Sequence, residues 1–223
     1  MAGGRDLDYL DHSATIEYKH ELIRKGIHLF SLSIPTIYFF ISKNWALALL
    51  VPVTAAFIII DVARYYVPSV TQWFYRWFGW LLRRREFDSD NKRLNGASNV
   101  LISALLCVFI FPKVVAINAF AILIISDTTS ALIGRRFGRH RFLGKSFEGS
   151  LAFFVSAVLV ILLAPKIDRI PMEYLIGFIA AAIGTVVEAL PIKIDDNLTI
   201  PLSVGFSYWA LYASVLPSIN LIQ

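Results

Sequence analysis

The sequence predicts an all-α integral membrane protein: about seven transmembrane helices and one amphipathic interfacial helix, in a single domain over residues 1–223. Three observations carry this. Hydrophobic residues make up 57% of the 223 positions and charged residues only 17%, against about 45–50% and about 25% in soluble domains. Apolar runs of roughly 17–25 residues, the length that crosses a bilayer as a helix, recur along the chain. Period-2 alternation is missing and the turns are short, which argues against a membrane barrel.

The runs fall at 26–42, 45–66, 96–112, 114–134, 149–164, 173–190 and 198–216. The N-terminal stretch has no apolar core and no cleavage site, so no removable signal peptide is expected. Residues 13–42 read as one helix that starts in water and enters the bilayer near Gly26. Glu21, Arg24, Lys25 and His28 share one face of it at spacings of three and four. The second run ends in Asp61-Val-Ala-Arg64, an acid and a base one turn apart that can neutralise each other. The alternative is that Asp61 braces the basic groups of the first span.

Residues 69–86 are too polar to cross. Trp73, Phe74, Trp77, Trp80 and Leu81 recur at helical spacing, with Arg76 and Arg83 to Arg85 among them. Aromatic and basic residues in that pattern mark a helix lying in the headgroup plane. The third run opens on Gly96-Ala97-Ser98-Asn99, small residues that permit close helix packing. It contains Cys107, the single cysteine, which can form no internal disulfide and is expected to pack in the core.

The fourth run carries Asp127, about two turns before Gly134. A carboxylate at membrane depth must pair with a cation or a metal to offset its desolvation. A basic segment, 135–148, follows, with Arg135, Arg136, Arg139, Arg141 and Lys145 around Gly138 and Gly144, and closes on Lys145-Ser146-Phe147-Glu148-Gly149-Ser150. An acid, a basic glycine loop and a second acid suit a metal-bound polyphosphate, with backbone nests and cations on the phosphates. The segment does not match a Walker A loop: five residues separate Gly138 from Gly144, and no parallel-sheet pattern surrounds it. Run six ends near Glu188, and Asp195-Asp196-Asn197 opens run seven. Those three residues suit either a helix N-cap or the oxygen shell of a magnesium ion, which takes one or two carboxylates beside substrate phosphates.

With the N-terminus inside, the 21 lysines and arginines divide 17 to 4 in favour of the inside segments, a strong positive-inside bias. The N-terminus and the acids at Asp61, Asp127, Glu148, Glu188, Asp195 and Asp196 are therefore expected at the cytoplasmic face, and the C-terminus outside. Zinc and Ser-His-Asp chemistry are not indicated, and no nucleic-acid partner is expected.

These motifs, in this order over about residues 17–205, resemble the CTP-dependent lipid kinase family: dolichol, phytol and farnesol kinases and CTP-using diacylglycerol kinase. The stretches are Glu21-x-x-Arg24-Lys25-x-x-His28, Asp61-x-x-Arg64, Asn95-Gly96-Ala97, Asp127 through Gly134 and Gly138, Lys145-Ser146-x-Glu148-Gly149-Ser150, and Glu188 with Asp195-Asp196-Asn197 and Pro201. At Asn95-Gly96-Ala97-Ser98 the chain departs from the family, where threonine is more usual around the glycine. The resemblance implies magnesium-dependent transfer of the γ-phosphoryl group of CTP to a lipid alcohol: a polyprenol, phytol or diacylglycerol. It implies Arg24, Lys25, His28, Gly134, Gly138, Gly144, Lys145 and Ser146 as nucleotide-binding residues. Metal ligands would be Asp127, Glu148, Asp195, Asp196 and Asn197. Asp127 or Glu188 would orient or deprotonate the lipid hydroxyl. The partners so implied are a nucleoside triphosphate, the lipid alcohol and membrane lipids, with homo-oligomerisation left open. A cytidylyltransferase resembling CDP-diacylglycerol synthase is the alternative enzyme, but EALPIKIDDNLTIPL stands where those enzymes carry a Pro-Gly-His-Gly-Gly segment. A transporter without chemistry is the alternative outside enzymes; it would need midplane acids or repeat symmetry, which the sequence lacks.

Overall fold

The structure, a computed structural model, describes residues 22–81, 93–219 and 221. Glu21 and the Arg83 to Arg85 run lie outside the described residues. Among the described residues the regular elements are all helices apart from one hairpin of two two-residue strands. In order come α1 (residues 22–30), α2 (Ser33–Phe40), α3 (Lys43–Ala63), α4 (Pro68–Phe78) with a 3₁₀ turn (Gly79–Leu81), α5 (Gly96–Ile110) and α6 (Lys113–Phe137). Strands β1 (Arg141–Phe142) and β2 (Lys145–Ser146) follow, then α7 (Phe147–Leu163), α8 (Pro171–Ala189) and α9 (Asp196–Val215). Six of these helices fall within a few residues of the expected apolar runs.

Four helices, α3, α6, α8 and α9, are long and apolar enough to cross a membrane, while α5 and α7 are apolar but shorter. The chain is thus an all-α protein of membrane character. The first expected span departs from a single helix. It breaks at Ser31 and Leu32, whose amides donate three residues back to His28 and Leu29. Pro35 explains the break: it has no N–H for the Ser31 carbonyl and its ring crowds that carbonyl.

Helix α6 is the central element. Buried side chains surround it on nearly every side from Val115 to Ser130, and α2, α5, α7 and α9 all pack on it. Buried Cys107 joins the apolar core, as expected. Helix α4 turns Trp73, Trp77 and Phe78 outward, as the 3₁₀ turn does Trp80, and tucks Phe74 inward, matching an amphipathic helix.

Polar contacts gather at the two ends of the bundle. At one end Lys43 Nζ donates to the Phe109 carbonyl (2.8 Å) and Lys113 Nζ to the Ile41 carbonyl (2.9 Å), filling acceptors at helix C-termini. There too the buried Glu173 carboxylate accepts from the amides of Ile167 and Asp168 and from the Tyr212 hydroxyl, pinning the α7–α8 loop. At the other end Asp61 and Arg64 form a fully buried ion pair, 2.9 Å apart. The Asp61 carboxylate also accepts from the Asn95 amide (2.7 Å). Arg64 donates to the Tyr65 hydroxyl and the Arg93 carbonyl and stacks over Phe74. Asp61 is spent on its own arginine and on the α5 N-terminus, so of the two expectations the neutralising pair is the one formed.

Candidate functional site

The same end of the bundle holds a cavity of about 460 Å³ between α1, α6, the hairpin, α7, α8 and the start of α9. Its floor is Asp127, just past the middle of α6. The carboxylate is in direct contact with the buried Lys25 ammonium from α1, and His28 Nε2 lies 3.7 Å from the same oxygen. The break after α1 lets this short helix bring Lys25 and His28 against α6.

The far wall is built on Lys145. Its ammonium bridges Glu188 Oε1 at the end of α8 (2.8 Å) and Asp196 Oδ2 at the start of α9 (3.0 Å). Burial works against the charge, but the Asp196 and Glu188 carboxylates outweigh it and hold the group above its ordinary value of 10.5. Glu188 is itself almost wholly buried. It also accepts from Ser130 Oγ on α6 (2.7 Å) and Ser150 Oγ on α7 (3.4 Å). One carboxylate therefore ties together three helices and the hairpin lysine.

The glycines work differently from the expected phosphate nest. Among the described residues no glycine has a positive φ, so none supplies a left-handed turn. They permit close approach instead. A Cβ on Gly149 would lie 2.9 Å from Ser146 Oγ and 3.2 Å from both the Gly134 Cα and the Ser130 carbonyl. A Cβ on Gly138 would collide with the Gly134 carbonyl and Ser146 Oγ, and one on Gly144 would press on Ala189 and Pro191. Small residues let the end of α6 and the start of α7 meet backbone to backbone. Ser146 caps α7 by accepting from the Gly149 amide (3.2 Å). The expected loop 135–148 is thus the last turn of α6, a hairpin and the first turn of α7. Its tip is fastened to α8 by the Gly144 amide on the Ala189 carbonyl (2.8 Å).

Of the sequence-derived site residues, the cavity gathers Arg24, Lys25, Asp127, Gly134, Lys145, Ser146, Glu188 and Asp196. Gly138 and Gly144 shape the hairpin behind it. Glu148 does not line it: this carboxylate accepts from the Arg139 amide (3.0 Å) and from His140 Nδ1 (2.7 Å), closing the hairpin. Asp195 accepts from the Asn197 amide and side chain as the α9 N-cap, and neither residue lines the cavity. Among the described residues no three acidic, histidine or cysteine side chains converge as a ready cation cage, so the five expected metal ligands do not form one cluster. Arg135, one of the basic residues expected around a polyphosphate, also lines the cavity, and so does Ser130, which had no assigned role. Its spacing from Asp127 and Gly134 was the available signal.

Four cationic side chains, Arg24, Lys25, Arg135 and Lys145, face three carboxylates, Asp127, Glu188 and Asp196. A cavity with a surplus of fixed cations favours an anionic ligand, and carboxylates beside it are suited to a cation that the ligand brings.

No protein-family model matches the chain, and no solved structure does. An uncharacterized protein of Rickettsia prowazekii is 31% identical over 195 residues, covering 86% of this chain and 95% of that protein. The CTP-dependent diacylglycerol kinase 1 of Schizosaccharomyces pombe is 29% identical over 207 residues, covering 82% of this chain and 89% of the enzyme. The enzyme of the same name from Saccharomyces cerevisiae is 27% identical over 211 residues, covering 82% and 70%. The chain belongs to the family of the Rickettsia protein, and its likeness to the two yeast enzymes supports a place among the CTP-dependent lipid kinases.

Proposed function

We propose that the protein transfers the γ-phosphoryl group of CTP to the hydroxyl of a lipid alcohol, with the reaction held in the Asp127–Lys145 cavity. The observation that carries this reading is that cavity: four cations and three carboxylates gathered at one end of a membrane bundle, in a chain similar to two CTP-dependent diacylglycerol kinases. Diacylglycerol is accordingly the first acceptor to try, ahead of polyprenols and phytol.

Phosphoryl transfer asks mainly for positioning and charge neutralisation. Arg24, Lys25, Arg135 and Lys145 bind the triphosphate. The lipid oxygen bonds to the γ-phosphorus, the bond to the β,γ-bridging oxygen breaks, CDP leaves, and the hydroxyl proton passes to a carboxylate. Asp127 is the better acceptor. Glu188 already takes hydrogen bonds from Ser130, Ser150 and Lys145, which leaves it little capacity for a fourth donor. Glu188 positions Lys145 in this reading.

The cavity carboxylates fit Mg²⁺ in the usual manner for this ion, through one or two carboxylates and the phosphates rather than an all-protein cage. Asp127 and Asp196 would hold it, and it would supply neutralisation of the triphosphate charge. Glu148, Asp195 and Asn197, engaged elsewhere, would contribute through the hairpin and the α9 cap.

The test is product analysis with purified protein in mixed micelles, offering labelled CTP or ATP and a panel of lipid alcohols. A phosphorylated lipid and CDP are expected, and D127N should lose at least about a hundredfold, the usual weight of a positioned acid–base group. Pyrophosphate released with phosphatidate as co-substrate would instead establish the cytidylyltransferase. Near wild-type turnover of D127N would remove Asp127 from the chemistry.

A further inference from the structure

The hairpin between α6 and α7 has an outer surface that the cavity does not use. Phe137, Phe142, Leu143 and Phe147 are each more than a third exposed on it. Arg136, Arg139 and Arg141 are exposed between them, and Arg136 lies over the Phe137 ring. These three arginines make no ion pair among the described residues. Glu148, the acid of this segment, is occupied by the hairpin amides and His140.

Two further observations fix where this surface lies and suggest a role for it. Because the Gly144 amide is bonded to the Ala189 carbonyl at the end of α8, the hairpin lies across the helix ends and does not stand off into solvent. Helices α6 and α8 end at that level, and α7 and α9 begin there. At the tip, Leu143 has a φ of 52° and is 52% exposed. A branched apolar residue is strained in the left-handed region, and glycine would make the same turn without that strain. The turn itself gives no reason for leucine, whereas an apolar probe at an interface does.

We propose that this hairpin is a docking surface for anionic phospholipid headgroups of the bilayer in which the chain sits. The apolar side chains reach the acyl boundary and Arg136, Arg139 and Arg141 hold lipid phosphates. Aromatic and basic residues interleaved at the interface have this chemistry, and arginine is the side chain best matched to phosphate. The partner is a lipid, since helices of membrane character already set such headgroups beside this chain and three exposed arginines complement their phosphates. Lys145 and Ser146 form the second strand of the same hairpin and face the cavity, so lipid docking also steadies one wall of the site.

The experiment is lipid retention, read without any catalytic assay. Protein is reconstituted in phosphatidylcholine membranes containing phosphatidylglycerol, released gently, and its bound lipids are counted by native mass spectrometry. Wild type should enrich phosphatidylglycerol, and raising salt to about 1 M, where screening acts within ~3 Å, should reduce the enrichment. At about 1 kcal/mol per basic residue near the surface, R136A/R139A/R141A should cut the enrichment at least about tenfold. L143G should cut it several-fold while its thermal midpoint stays equal to or above wild type, which separates docking from folding. Wild-type enrichment in both the triple variant and L143G would overturn the proposal. A final arm, CTP turnover with and without phosphatidylglycerol, rests on the proposed kinase activity. If retention behaves as expected while no lipid is phosphorylated, the function fails and the docking surface stands.

Discussion

Asp127, part-buried, and Glu188, almost wholly buried, are both acids on apolar helices, yet their surroundings differ. Asp127 faces cations that can exchange toward a ligand, whereas Glu188 is enclosed by two serines and Lys145. E188Q keeps the shape and removes the charge that orients Lys145. A hydrogen bond to a charged group contributes about 1.5–3 kcal/mol, so the KM for CTP should rise about 10- to 100-fold while kcat changes much less. A kcat loss as large as that of D127N, with KM unchanged, would return Glu188 to the chemical step. Lys145 adds a test in pH. Its folded value lies above the ordinary 10.5, so the folded state binds the proton more tightly than the unfolded state. Its ion pairs therefore stabilise fully below about pH 10.5 and fade as pH rises through the raised value. The difference in thermal midpoint between wild type and K145M should stay flat from about pH 7 to about pH 10 and shrink only beyond it. A difference that disappears near neutrality would mean that the ammonium is not held by Glu188 and Asp196.

At the scale of elements, the α6–α7 crossing and the Asp61–Arg64 lock hold the site end together. Alanine at Gly149 would gain about 0.5–1 kcal/mol of helix preference. Against that, its Cβ meets the Gly134 Cα and Ser130 carbonyl at 3.2 Å, backbone atoms that cannot rotate away. Overpacking of that kind costs about 1–3 kcal/mol, so G149A should lower the thermal midpoint and displace Lys145 enough to weaken nucleotide binding. An unchanged midpoint would show that the helices slide apart at no cost. D61N leaves Arg64 buried without its counter-charge, a loss of about 3–5 kcal/mol, which differential scanning fluorimetry in detergent would detect. These elements also show what the sequence could reveal. Helices α3 and α5 to α9 were legible because apolar runs of bilayer length leave little choice. The break at Ser31 was not, because Pro35 sits inside an unbroken apolar run and its effect appears four residues earlier. The glycines at 134, 138, 144 and 149 were legible as special but misread. A residue type says that space or φ is at stake, and only three-dimensional neighbours decide which. Glu148 and Asp195 were placed on a metal for a similar reason: spacing brings a carboxylate to a helix start, but the nearest orphan amides claim it first.

For the whole molecule, the question is which side of the membrane the cavity faces. Lys43, Lys113, Lys166 and Arg169 belong to the opposite end, while Arg24, Lys25, Arg64 and the arginines of the α6–α7 segment sit at the cavity end. From this asymmetry the positive-inside rule predicts an orientation with the cavity on the cytoplasmic face, where nucleoside triphosphates are made. Cysteine labelling in intact cells tests it with little background, because the single native cysteine, Cys107, is buried in the core. R169C, in the α7–α8 loop, should react with a membrane-impermeant maleimide added outside. R141C, in the exposed hairpin, should react only after the cells are opened. Labelling of R141C from outside would place the cavity away from cytosolic CTP. A kinase reading would then require a nucleotide supply on that face, and the charge asymmetry would have to be reassigned to lipid docking alone.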